Sequence, residues 1–178
     1  LLVDAKALSV KKIIHAVCDP DSPFKDEGKT LLIDEFGKQY GTYFSILDAI
    51  SNGINTQSEI AAALGEKSIG GQLKKLEETY GITKKMRPIL SKEGTQTVRY
   101  EIADLFLRFW FRYYEGTRTL VEMNQFEVLE KIIAADYTTY SGRTLETYFK
   151  QQFIESHEYR DLGSYWEAKR GKEQYEID

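Results

Sequence analysis

The stretch from Thr56 to Ile102 constrains this chain more than any other. Thr56-Gln57-Ser58-Glu59 is a capping box: a threonine side chain takes a backbone N–H one turn into the helix, and the glutamate reaches back to the threonine's own N–H. The helix it opens, Ser58–Leu64, is short and alanine-rich, so a neighbour can approach it closely. Gly65 ends it, and Ser68 is placed to cap a third helix, Ile69–Tyr80, which turns Leu73 and Leu76 inward and stops at Gly81. Ile82–Leu90 and Thr97–Ile102 then alternate as strands around the polar turn 91–96. Upstream, Gly41-Thr42 opens a helix with Tyr43, Phe44, Ile46, Leu47 and Ile50 at helical spacing, closed by Asn52-Gly53. Helix, short helix, turn, helix and β-hairpin make the layout of a winged helix-turn-helix, bounded at residues 37–103.

Charge singles out the same stretch. The net charge of −4 and pI near 5.4 divide unevenly. Residues 1–66 carry six Lys/Arg against ten Asp/Glu, residues 67–99 eight against three, and residues 100–178 ten against fifteen. A local +5 thus sits between −4 and −5. The third helix contributes Lys67, Lys74 and Lys75, and the hairpin Lys84, Lys85, Arg87, Lys92 and Arg99. Ser68 and Gln72, near the helix start, are candidates for base or phosphate contacts. Duplex DNA rewards such a surface because each neutralised phosphate releases a counterion and a helix fits the major groove. The residues leave a second use open, since the same layout serves as a protein-interaction module and lysines populate any solvated face.

The flanks read differently. Residues 1–18 form an amphipathic helix with Leu8, Ile13, Ile14 and Val17 on one side, stopped by the prolines of Asp19–Pro23. Residues 28–37 hold a short apolar run. Its Leu31-Leu32-Ile33-Asp34-Glu35 looks like the apolar strand and acidic pair that hold magnesium in P-loop ATPases. No phosphate loop accompanies it: Gly65-Glu66-Lys67-Ser68 lacks the required Gly-Lys-Ser/Thr and the glycine five residues before the lysine. Leu31–Glu35 therefore reads as the lead-in to the winged helix. Leu105–Tyr114 packs six aromatics into ten residues, and Phe106, Phe109, Trp110 and Tyr113 recur at helical spacing, as a core face does. Residues 118–135 and 143–157 read as two amphipathic helices, and Gly163 opens a hairpin of Tyr165–Ala168 and Gln174–Asp178.

One cysteine, Cys18, excludes an internal disulfide framework, and two distant histidines, His15 and His157, do not make a Cys/His zinc site. No run approaches the ~20 apolar residues of a membrane span, and a cytoplasmic protein with no membrane partner is expected. The chain opens without methionine and closes inside an alternating stretch, which suggests a fragment of a longer protein. Glu146 on a helix with Asp178 on the closing strand could bind a divalent metal, although further ligands would be needed.

Tyr43-Phe44-Ser45-Ile46-Leu47, Thr56–Leu64, and Tyr100-Glu101-Ile102-Ala103-Asp104 running into Phe106-Leu107-Arg108-Phe109-Trp110-Phe111-Arg112 resemble the C-terminal half of archaeal-type ATPases of the AAA+ superfamily. That family joins a P-loop ATPase, a winged helix and a C-terminal domain similar to PD-(D/E)XK nucleases. The resemblance implies a fold of α+β class, mainly α. It implies the end of the ATPase lid and a linker at 1–36, the winged helix at 37–103, and the start of a nuclease-like domain at 104–178. Gly163, Trp166 and Glu176-Ile177-Asp178 would fall in the nuclease-like strand region, with Glu146 as its helix acid. ATP and magnesium would belong to the parent protein, because this chain lacks the phosphate loop and the acid-x-Lys element after Asp178. The partners implied are double-stranded DNA, the protein's own ATPase domain and a second copy. A metal-dependent nuclease and a protein-interaction module are the alternatives.

Overall fold

The computed structural model describes residues 9–89, 98–159, 162–166 and 176–177. Its helices are α1 (Val10–Val17), α2 (Phe24–Phe36), α3 (Tyr40–Ser51), α4 (Gln57–Ala63), α5 (Gly70–Glu78), α6 (Leu105–Trp110), α7 (Arg118–Glu122) and α8 (Phe126–Ser156). Strands β1 (Thr83–Met86) and β2 (Arg99–Ile102) form one antiparallel pair, and β3 (Tyr165–Trp166) and β4 (Glu176–Ile177) another. The architecture is α+β, mainly α.

Local chemistry explains most boundaries. Ser9 caps α1 by accepting from the Lys12 amide at 3.3 Å. Asp19–Pro23 breaks the chain, and α2 starts immediately after Pro23 with Asp26 and Glu27 in its first turn, where the helix dipole favours acids. The capping box at α4 forms on both sides, with the Glu59 amide on Thr56 Oγ1 and the Thr56 amide on Glu59 Oε2. Gly53, Gly65 and Gly81 adopt the left-handed backbone that ends α3, α4 and α5.

One continuous group of buried side chains runs from Ile14 to Ile133. Phe36 of α2 packs on Tyr43 and Tyr80, ring centroids 4.4 and 4.8 Å away. The Trp110 indole fills the space where a Cβ on Gly28 would stand, and its Nε1 donates to the Lys25 carbonyl at 3.2 Å. The α3–α5 unit closes around Ile46, Leu47, Ile60, Ile69, Leu73 and Leu76, all solvent-free. The hairpin is tied to it at the Tyr100 amide, which donates to the Asn55 carbonyl at 2.8 Å.

Four expectations need correction. Ser68 does not cap α5: the N-cap is Ile69, whose buried side chain anchors the turn, and no side chain caps the helix. Ile13 is 37 % exposed, so the buried side of α1 comes down to Ile14 and Val17; Leu8 lies outside the described residues. The apolar lead-in that starts at Gly28 lies in helix α2, which ends at Phe36, buries Leu32 and leaves Leu31 and Ile33 exposed. The aromatic face is rephased by a π-helical turn, Phe111–Glu115, whose wider loop is closed by the Gly116 amide on the Phe111 carbonyl. Phe111 and Tyr114 join Trp110 and Tyr113 in the core, whereas Phe106 and Phe109 remain half-buried. Finally, the two helices expected at 118–135 and 143–157 are the short α7 and the 31-residue α8, which passes through Ser141-Gly142 without a break.

Candidate nucleic-acid interface

The α5 surface is built by its inward side. Leu73 and Leu76 are solvent-free, and the opposite face presents Gly71, Lys74, Lys75 and Glu78. Lys67 and Ser68 are exposed in the turn ahead of it, and Gln72 is half-buried at its flank. Arg87 is exposed just after β1. Lys92 lies outside the described residues.

Strand alternation sorts the hairpin residues onto two faces. The register pairs Thr83 with Ile102 and Lys85 with Tyr100, and pairs Lys84 with Glu101 and Met86 with Arg99. Thr83, Tyr100 and Ile102 are buried, so Lys85 shares the inward-facing side. Its ammonium sits 2.7 Å from Glu77 Oε2 of α5, a hydrogen bond that raises its pKa above the ordinary lysine range against the opposing effect of burial. Lys84 on the outer face meets its cross-strand neighbour Glu101 at 3.4 Å, and Lys74 meets Glu78 one turn on at 3.6 Å. Arg99, also on the outer face, has its guanidinium 4.7 Å from the Trp166 ring centroid of β3. Of the ten candidates, Lys67, Ser68, Gln72, Lys75 and Arg87 thus stay close to solvent at α5 and the base of the hairpin, while Lys74, Lys84, Lys85 and Arg99 are engaged within the chain. The positive surface is smaller than the sequence count.

Glu77, Glu101 and Trp166 are the partners that sequence reading missed. Glu77 and Glu101 carried a signal only if the hairpin register was known, and the long turn 91–96 does not fix one. Trp166 is 67 residues from Arg99 and gave none.

Of the two proposed metal residues, the structure describes Glu146. Glu146 forms an ion pair with Lys150, one turn away on α8, and the Lys150 amine also donates to Ser164 Oγ at 2.9 Å. Asp178 lies outside the described residues. Among the described residues no three His, Cys, Asp or Glu side chains gather into a metal site. A groove of about 490 Å³ between α3 and α4 is lined by Gly41, Ser45, Asp48, Ala63 and Glu66; its acids do not suit phosphate.

Two further polar contacts stabilise the body. Asp136 of α8 accepts from Arg112 Nε at 2.6 Å and from the Tyr113 hydroxyl at 2.7 Å. The Arg112 hydrogen bond holds the Asp136 carboxyl below the ordinary carboxylate range. Cys18, next to the Tyr114–Val17 contact, is buried, and desolvation pushes its thiol up to about 12, which makes it inert rather than nucleophilic.

The chain is 33 % identical over 162 residues to an uncharacterized protein of the archaeon Methanocaldococcus jannaschii. The match takes in 86 % of this chain and 36 % of that protein, so the chain spans about a third of the length of the curated relative it matches. No family model matches the chain, and no solved structure matches it. No helix among the described residues is long and apolar enough to cross a membrane.

Proposed function

We propose that residues 37–103 are a winged helix-turn-helix that docks double-stranded DNA, in a cytoplasmic ATP-binding protein of the AAA+ superfamily longer than this chain. The observation that carries the reading is the outward face of α5, where Lys74 and Lys75 stand exposed with Lys67 ahead of them and Gln72 half-buried at the flank. A helix held from behind by Leu73 and Leu76, with cations at its exposed start, suits entry into a major groove while neighbouring lysines meet phosphate. ATP and magnesium would be bound by the remainder of the protein, and this chain would pass nucleotide-driven movement to DNA.

The test is duplex affinity measured by fluorescence anisotropy across salt concentrations. Affinity should fall steeply as salt rises, and Lys67→Glu with Lys75→Glu should reduce it about tenfold or more and flatten the salt slope by about two. Lys84→Glu should do less, because Glu101 already offsets that charge. An affinity independent of salt and of both substitutions would sink the DNA reading. It would favour the protein-interaction alternative, which the internal pairing of Lys74, Lys84 and Lys85 supports. The nuclease alternative rests on Glu146 and Asp178, and the ion pair of Glu146 with Lys150 speaks for a structural role of that glutamate.

A further inference from the structure

The β1–β2 hairpin is joined to α5 at two heights. At its root the Ile82 amide donates to the Leu76 carbonyl at 2.9 Å, where the chain leaves the helix. Three residues on, about 10 Å further along the strand at ~3.3 Å per residue, Lys85 Nζ meets Glu77 Oε2 at 2.7 Å. The two side chains are 33 and 25 % exposed, more enclosed than Lys84 with Glu101 or Lys74 with Glu78. Lys85 lies across from Tyr100, with its ammonium 6.0 Å from that ring's centroid, and the Tyr100 ring is buried. This rung of the hairpin is therefore held at both ends, Lys85 by Glu77 of α5 and the Tyr100 amide by the Asn55 carbonyl. Glu77 is an acid set into the most basic stretch of the chain, one residue from the buried Leu76. A surface that meets phosphate gains nothing from a carboxylate there, since anion repels anion.

We propose that the Glu77–Lys85 pair positions the hairpin against α5 for docking, so that Glu77, although an acid, is needed for duplex binding. The inference rests on the DNA reading of residues 37–103. Its physical basis is leverage. The contact at the root fixes where the hairpin starts, and the rung further out fixes its tilt; with the Lys85 end released, the rung swings about Tyr100. Arg87 follows Lys85 by two residues and is exposed, as are Lys67 and Lys75 at α5. The separation of Arg87 from those lysines therefore depends on the tie that Lys85 makes. Phosphate contacts set the register of a protein on a duplex, so cations of the hairpin and of α5 meet them together only when the two elements keep one relation. Without the tie the hairpin samples several tilts, and affinity falls by the fraction that is competent to dock. Lys85 is a positioning residue, whose charge answers Glu77 rather than a phosphate.

Duplex affinity is measured over a range of salt on wild type, Glu77→Gln, Lys85→Met and the exchanged pair, Glu77→Lys with Lys85→Glu. Charge alone makes Glu77→Gln bind more tightly, because it removes an anion from the docking surface. Positioning gives the opposite sign. Glu77→Gln and Lys85→Met should each bind about threefold to tenfold more weakly, as for a hairpin that is competent about a third to a tenth of the time. Their salt slopes should stay at the wild-type value, whereas Lys75→Met, which removes a phosphate contact, should lower the slope by about one. The exchanged pair keeps the net charge and restores the tie, so it should recover most of the loss seen in Lys85→Met. Binding by Glu77→Gln as tight as wild type or tighter would overturn the positioning role and leave the DNA reading intact. A slope lowered by about one in Lys85→Met would overturn it as well, since Lys85 would then meet a phosphate itself. An absence of salt-dependent binding in wild type and every variant would overturn both readings. Should circular dichroism show Glu77→Gln unfolded, the exchanged pair decides: recovery over Lys85→Met supports positioning, and no recovery overturns it.

Discussion

The two halves of α8 share one unbroken backbone and behave oppositely. In the first half Phe126, Leu129 and Ile133 are buried against the body, and Tyr140 continues their line beneath Phe109 and Tyr113. In the second half Leu145, Tyr148, Phe149 and Phe153 form an apolar stripe that is about half in solvent. At ~100° per residue the second stripe lies about 145° round the helix from the first. The helix therefore changes the side on which it is apolar midway, near the Asp136–Arg112 contact and Gly142. Apolar periodicity states that a helix has a face to bury, and tertiary contact states whether that face is covered.

The sharpest way to break this comparison is a matched pair of leucines. Leu129→Ala, at a solvent-free position, should cost about 3 kcal/mol in urea unfolding, whereas Leu145→Ala, 54 % exposed, should stay within about 0.5 kcal/mol. Equal losses would mean that the outer stripe is packed in the folded chain. Next in size is Asp136→Asn, which weakens the bond to Arg112 and should cost about 1 kcal/mol at neutral pH, given an ion pair partly open to water. The pH dependence follows from the sign of the shift. A carboxyl lowered in the folded state stabilises above its unfolded pKa of about 3.9, and the gain is lost as pH falls through the lower folded value. The difference between wild type and Asp136→Asn should accordingly shrink as acid is added below about pH 4, and a constant difference would remove Asp136 from the acid limb. Smallest is Gly142→Ala, where a Cβ meets nothing within 4 Å. In a continuous helix it should add about 0.5–1 kcal/mol and raise helical circular dichroism slightly. A loss of stability would favour two helices with a break at that glycine.

The candidate interface shows the same division between pattern and context. Leu73 and Leu76 were legible as the inward side of α5, and that fixed Lys74 and Lys75 outside. The charges were legible as a number but not as a surface. Lys85 belongs to the inner face of the hairpin because of the register that pairs it with Tyr100, and it then finds Glu77 across the gap to α5. A two-residue turn would have specified that register from sequence. The expected end of one helix and start of another around Gly142 failed for a related reason. A glycine weakens a helix by about 1 kcal/mol, which packing on either side readily overrides.

Sequence alone determined where α4 begins and where α3, α4 and α5 end, because a capping box and left-handed glycines act over three or four residues and need no partner. It also determined which leucines of α5 point inward and that positive charge gathers between residues 67 and 99. Tertiary structure decided which of those charges remain on offer. Ion pairs and stacks such as Lys85 with Glu77, Lys84 with Glu101 and Arg99 with Trp166 depend on the meeting of segments that no local rule relates. The physical reason is range: capping and periodicity are read within a turn or two of one helix, whereas a guanidinium finds its indole only after two hairpins have been brought together.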